Sequence, residues 1–316
     1  MLSICFQIKP LHCNLSKPAF LKFHESFTLT ALFIIIGTPI VYILYKSRIM
    51  KRIFTSVLAL TLLAGCTKNA LTGKSRLNLV SENQLEQMAV SEYRTFLSQN
   101  NVVSSSGNKD AEMVQRVGRR IANAITSYYK TQGIEDITKD YKWEFNLVDN
   151  KQVNAWCMPG GKVVVYTGLL PIAQNEAALA IVLGHEITHA VAEHGAERMN
   201  STIAAQGLGT LGDLLTSRNP KANNIFNNVY GPGVQLGILL PNSRSQEYTA
   251  DHYGLIFAAM AGYNPQEAIP FWTRMANSGG NKPPEFLATH PSDENRIAKL
   301  KALMPEALKY YKPLKK

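Results

Sequence analysis

The sequence predicts an α+β fold, mainly helical, with a small antiparallel sheet packed beside one buried helix. Three observations carry that expectation. Apolar residues recur with a 3.6-residue period over several long windows, one stretch near the middle switches to period 2, and the helix after it is apolar almost all round. With 46% hydrophobic and 18% charged side chains, the 316-residue chain has the composition of a folded protein, which excludes a disordered or collagen-like one.

Two apolar runs open the chain, at 26–45 and 53–65. The first is long enough to span a bilayer, although Gly37-Thr38-Pro39 interrupts it. The second follows Met50-Lys51-Arg52 and closes on Leu63-Ala64-Gly65-Cys66, the charged, apolar and small-residue order of a secretory signal. It resembles a bacterial lipoprotein signal, in which Cys66 is the lipidated residue. The expected organisation is therefore an upstream mis-start or membrane segment at 1–49, a signal at 50–65, a lipidated cysteine and tether at 66–80, and one domain at 81–316. Residues 1–65 hold seven Lys or Arg against one acid, so six of the ten net positive charges sit there and a nucleic-acid partner loses its support. Of four cysteines, Cys5 and Cys13 fall in the leader and Cys66 at the anchor, which leaves Cys157 with nothing to pair with, so a packed core has to hold the domain.

Within the domain, Ser81-Glu82-Asn83-Gln84 is a capping box, and a helix runs from it to about Asn100. Residues 101–109 form a loop. From 111 to 130 a second helix puts Met113, Val114, Val117, Ile121, Ala124, Ile125 and Tyr128 on one face. Trp143, Phe145 and Leu147 then alternate with polar residues, and Lys162–Tyr166 is a β-branched run after the turn Pro159-Gly160-Gly161. Asn175 caps a long helix running to about Asn200. Residues 201–242, rich in Gly and Asn, read as a flap or as a packed insertion. Residues 244–261 are helical and stop at Gly262, Pro265 starts another helix, and Pro291 or Ser292 starts the last.

The chemistry concentrates in Leu183-Gly184-His185-Glu186-Ile187-Thr188-His189. Residues four apart on a helix share a face, so His185 and His189 present two imidazoles to one point, as two ligands of a tetrahedral zinc do. Glu186 lies beside them, placed as a general base. Two histidines and a glutamate in so apolar a helix would be costly unless paired or metal-bound. A catalytic site of this type needs a third protein ligand and an open fourth position. His194 comes five residues after His189, one short of the metzincin spacing, and His252 has no supporting pattern. Glu247 shares a helix face with Asp251, one to bind the metal and the other to hold a ligand histidine by its second ring nitrogen, and is chosen as the third ligand.

Four blocks carry a further resemblance: HEITHAVAEHGAERM at 185–199, EYTAD at 247–251, THPSDENRI at 289–297 and NAWCMPGGKVVVYTGLL at 154–170. In these the chain resembles the HtpX-like peptidases, gluzincins whose family includes CAAX prenyl proteases, mitochondrial inner-membrane stress proteases and periplasmic quality-control lipoproteins. The resemblance implies a zincin-like fold, one Zn2+ per chain on His185, His189 and Glu247, Glu186 as catalytic base and Asp251 behind a ligand. It also implies that Lys162, Val163, Val164 and Val165 form an edge strand to which an extended peptide adds, with Asn154 and Ala155 on the peptide backbone. His290 and Arg296 are expected at the reacting centre. His290 would either donate to the oxyanion or occupy the open zinc position as a lid, with Arg296 holding charge.

The expected function is a metalloendopeptidase of the compact, repeat-free lipoprotein type, acting on unfolded or misassembled envelope proteins. It would sit on the bacterial envelope, at the periplasmic face of the outer membrane, with envelope assembly machinery or further copies as partners. The rival is a zinc-bearing, chaperone-like or latent lipoprotein that binds clients without efficient cleavage.

Overall fold

The computed structural model describes residues 66–205, 220–230, 243–278, 284–290 and 295–314, and the chain divides into two units, Met1–Thr67 and Lys68–Lys316. The leader, the signal and most of the 201–242 segment lie outside the described residues. The helices and the three-stranded sheet belong to the second unit. No helix among the described residues is long and apolar enough to cross a membrane.

Helix α1, Glu82–Gln99, starts at the expected capping box: the Ser81 hydroxyl accepts from Gln84 N at 3.3 Å, and Gln84 Oε1 accepts from Ser81 N at 3.1 Å. Helix α2, Lys109–Gln132, is capped by Asn108 and ended by Gly133 in the left-handed conformation, with Val114, Val117, Ile121 and Ile125 fully buried.

Three strands come next: β1 (Glu144–Val148), β2 (Ala155–Met158) and β3 (Lys162–Tyr166), in spatial order β1-β3-β2. β2 and β3 are an antiparallel hairpin turned by Gly160 and Gly161, both at positive φ. β1 pairs with β3 in parallel, Glu144 opposite Lys162 through Val148 opposite Tyr166, so the sheet is mixed rather than purely antiparallel.

The expected edge strand is corrected by this order. Lys162, Val163, Val164 and Val165 lie in the central strand, every residue of which is buried, and their main chain is hydrogen-bonded on both sides. Val163 and Val165 enter one core with α2, whereas Val164 and Tyr166 enter a second core with Leu85, Met88 and Tyr93 of α1. A strand covered on both faces reads as a continuous apolar run, which is why this segment shows no alternation. The edge beside the buried helix belongs to β2.

A one-turn helix, Leu170–Ala173, leads to α3, Glu176–Val191, whose Asn175 cap accepts from Ala178 N at 2.8 Å. All residues of α3 from Ala178 onward are buried. The expected single helix to about Asn200 is broken: Ala192 caps α3, Glu193 takes φ 57°, and α4 starts afresh as His194–Ala205. The cause lies far away in sequence. Asn69 Nδ2 donates to the Val191 carbonyl at 3.0 Å and to Glu193 Oε2 at 2.8 Å, and Arg76 binds the same carboxylate through Nε at 3.0 Å and Nη2 at 2.6 Å. From Lys68 on, the segment expected as a tether is therefore built into the compact unit, with Leu71 in the main core.

Helix α5, Pro220–Tyr230, packs on α4. Helix α6, Arg244–Met260, starts from a second capping box, Ser243 with Gln246, and crosses α3 at Gly184 and Gly254. A Cβ on Gly254 would stand 2.8 Å from the His185 amide nitrogen, so only glycine allows the two backbones to come this close. Then come α7 (Ala268–Asn277), α8 (Glu285–Thr289) and α9 (Arg296–Tyr310). The last described helix starts at Arg296, the expected start at Pro291 or Ser292 lies outside the described residues, and His290 caps the end of α8.

Candidate metal centre

The close crossing of α3 and α6 brings the histidines of one helix against the carboxylates of the other. His185 and His189 stand on one face of α3 with their Nε2 atoms 3.1 Å apart. Glu247, in the first turn of α6, reaches both: its Oε2 lies 3.3 Å from His185 Nε2 and its Oε1 3.2 Å from His189 Nε2. His290 enters from the end of α8, its Nδ1 3.2 Å from His185 Nε2 and 3.1 Å from Glu247 Oε1. His185, His189, Glu247 and His290 are all buried.

These four residues form a cluster able to hold one metal ion. Donors held at roughly 2.0 to 2.1 Å by a tetrahedral zinc sit about 3.3 Å from one another, and the contacts of His185 Nε2 with His189, His290 and Glu247 run from 3.1 to 3.3 Å. The donor chemistry agrees. Three imidazole nitrogens face one another and a carboxylate, Glu247 Oε2 is buried without a hydrogen bond, and a cation supplies what such acceptors lack.

Burial and the neighbouring charges act differently on each group: at His185 the carboxylates of Glu247 and Asp251 outweigh burial and raise the imidazole above its ordinary value. Burial pushes His189 down to about 3, which keeps its ring neutral. Burial alone would raise Glu247, but the imidazoles of His290 and His185 together outweigh it and hold the carboxyl well below the usual range. Asp251, one turn beyond Glu247, accepts from His185 Nδ1 at 2.9 Å and from Arg296 Nη2 at 2.6 Å. Its burial is likewise outweighed, first by Arg296 and then by His185. Arg296 is buried, its guanidinium 3.3 Å above the Trp272 ring and its Nη1 3.5 Å from Glu247 Oε2.

Glu186 sits beside the cluster. Its Oε1 lies 3.4 Å from His290 Nε2 and is buried without a hydrogen bond, and burial raises the carboxyl to about 7, against the opposing charge of His290.

Of the residues singled out from sequence, the structure gathers His185, Glu186, His189, Glu247, Asp251, His290 and Arg296 into one place. Lys162 is elsewhere: it is buried in the sheet with its ammonium on Glu144 Oε1 at 2.8 Å. Asn154 and Ala155 lie at the start of β2, where Asn154 Oδ1 accepts from Ala155 N at 2.9 Å. The amide of Phe286 donates to the Val153 carbonyl at 3.3 Å, tying the helix that carries His290 to the entry of β2. His252 is remote, on Glu306 at 2.9 Å. His194 is not among the clustered donors but lies behind His189, Nδ1 to Nδ1 at 2.9 Å, a contact that sequence reasoning missed. Burial and the neighbouring His189 push it well below the usual histidine range.

Comparison with known proteins fits this geometry. The chain is 32% identical over 239 residues to the mitochondrial metalloendopeptidase OMA1 of Schizosaccharomyces pombe, covering 75% of this chain and 66% of the relative. It is 34% identical over 196 residues to that of Saccharomyces cerevisiae, covering 59% and 54%. It is also 35% identical over 162 residues to the beta-barrel assembly-enhancing protease of Yersinia pestis, covering 49% and 33%. The chain thus spans between a third and two thirds of the length of these relatives. The expected location at the bacterial outer membrane is overturned, because relatives matched over three quarters of this chain, in fission yeast, cattle and humans, are mitochondrial enzymes. Residues 108–304, the stretch that carries the metal cluster, match peptidase family M48, and the chain belongs to that family.

Proposed function

We propose that the chain is a zinc-dependent endopeptidase whose substrates are unfolded or misassembled proteins. One observation carries the reading: His185, His189 and Glu247 meet within 3.1 to 3.3 Å of one another while a buried Glu186 oxygen that makes no hydrogen bond stands beside them. In this reading those three are the zinc ligands and Glu186 is the base. Bound there, zinc would polarise a scissile carbonyl and make a water easier to deprotonate at neutral pH.

The residues of the chain do the rest. Glu186, with its proton affinity raised to about 7, takes a proton from the attacking water and passes it to the leaving amine. Asp251 orients His185 and is itself held by Arg296. Arg296 is therefore a positioning residue rather than one that touches substrate. His290 closes the cluster against His185 and Glu247, so in this reading it acts as a lid that must swing away before a carbonyl can enter.

Among the described residues β2 is the outer strand of the sheet on the side of α3, with Asn154 and Ala155 at its start, and in this reading an extended peptide pairs along it. This strand takes the place first given to Lys162–Tyr166. An edge of this kind selects chains that can become extended, which fits misassembled proteins. The names of the mitochondrial and beta-barrel assembly-enhancing relatives support proteolysis as the outcome.

The same His290 contact favours a second reading, a latent protein that holds clients without cutting them. A casein assay separates the two. Wild type should carry about one zinc per chain and cleave casein in a phenanthroline-sensitive way. Glu186→Gln should keep its zinc and lose about 10²- to 10⁴-fold in rate. Full activity in that variant removes Glu186 from the mechanism, and no cleavage by wild type favours the latent protein.

A further inference from the structure

We propose that His194 positions the metal centre by accepting the Nδ1 proton of His189, which fixes His189 in the tautomer whose Nε2 lone pair faces the ion. The inference rests on His189 being a zinc ligand.

The two Nδ1 atoms are 2.9 Å apart, and the two residues are 8% and 3% exposed. A neutral imidazole has one N–H and one lone pair, so in such a contact one ring donates and the other accepts. His189 turns Nε2 toward His185 Nε2 and Glu247 Oε1, the point where the ion would sit. A ligand nitrogen carries no proton, so the proton of His189 belongs on Nδ1. His194 is then the acceptor, with its own proton on Nε2.

The two ligand histidines are therefore held differently. His185 rests on a carboxylate, Asp251, itself bound by Arg296, whereas His189 rests on a neutral ring. Ligand histidines are usually oriented by such a partner on the second nitrogen.

An unbroken helix could not make this contact. Five residues at 100° each carry position 194 about 140° around the axis from 189, onto another face. The break at Ala192 and Glu193 removes that obstacle, and Asn69 and Arg76 hold the break in place. Gln246, at the start of α6, donates from Nε2 to the His194 carbonyl at 3.4 Å and to Glu197 Oε2 at 2.8 Å, which fixes the start of α4 from the other side. The position of His194 is thus held by two separate parts of the chain, the segment carrying Asn69 and Arg76 and the start of α6.

The test uses the full chain as wild type, His194→Phe and His194→Gln, with zinc affinity measured by chelator competition. The phenylalanine variant fills the space without an acceptor and should bind zinc about 10- to 100-fold more weakly. The glutamine variant offers an amide oxygen and should recover most of that loss. Nitrogen-15 spectra of the zinc-loaded wild type should place the proton on Nδ1 of His189 and on Nε2 of His194, and this measurement needs no variant to fold. A phenylalanine variant that binds zinc as wild type does, a glutamine variant as weak as it, or a proton on His194 Nδ1 in the loaded protein would each overturn the inference. A wild-type chain that takes up no zinc overturns the metallopeptidase reading and this inference together.

Discussion

His290 touches both sides of the reaction at once: one ring nitrogen faces His185 and Glu247, the other faces Glu186. If the lid is closed most of the time, removing it raises turnover by the inverse of the open fraction. For a site open about a tenth of the time that is about tenfold. His290→Ala should therefore cleave casein faster than wild type in initial-rate assays, and a rate at or below wild type would exclude the lid. At this scale much was legible. The i, i+4 spacings within α3 and α6 depend only on helical geometry, so pairing His185 with His189 and Glu247 with Asp251 needed no tertiary knowledge. The role of His194 was hidden for the same reason, since helical spacing turns it away from His189 and only the break after Val191 turns it back.

At the scale of elements, the site depends on how closely α3 and α6 approach. Gly184 and Gly254 face each other at the crossing, one residue before His185 and three after Asp251, so what separates the helices also separates the ligands. A methyl group on Gly254 would meet His185 N at 2.8 Å and the Gly184 carbonyl carbon at 3.0 Å, both backbone atoms that cannot rotate away. Gly254→Ala should cost about 1 to 3 kcal/mol in urea unfolding and should also weaken zinc binding. Unchanged zinc affinity would mean that the ligands tolerate a wider crossing. The helices themselves were readable from caps and periodicity: Ser81, Asn175 and Gly262 mark ends that the structure keeps. Strand order was not. Whether Lys162–Tyr166 lies at an edge or in the middle depends on β1 joining its free side in parallel, and the four residues of β2 are too few to show a period.

For the whole molecule, the centre works as a fastener, because its candidate ligands come from α3, α6 and the end of α8. Zinc at 1,000 times its dissociation constant would stabilise the fold by about 4 kcal/mol. Chelation should then lower the melting temperature by roughly 8 to 16 °C, at about 2 to 4 °C per kcal/mol for a unit of this size. A melting curve unmoved by chelator would mean that the helices are docked without the ion. A second fastener lies at the C-terminal end of α3, where the Arg76 guanidinium is shared by Glu193 and Glu82 and binds both directly. One cation cannot neutralise two carboxylates. Burial, reinforced by the charge of Glu193, raises Glu82 to about 7, while Arg76, outweighing burial, keeps Glu193 below its usual value. The folded state thus holds a proton on Glu82 that the unfolded chain releases near pH 4.5. The stability contributed by that proton is fully present below pH 4.5 and is lost as pH rises through 7. Glu193 adds no slope in this window, since its own contribution fails only as pH falls below 4.5. Glu82→Gln, neutral at every pH, should therefore gain stability relative to wild type between about pH 5 and pH 8, measured as the difference in urea midpoints of the two proteins. A difference that stays constant across that range would show that Glu82 is ionised throughout and that the Arg76 network carries no pH dependence.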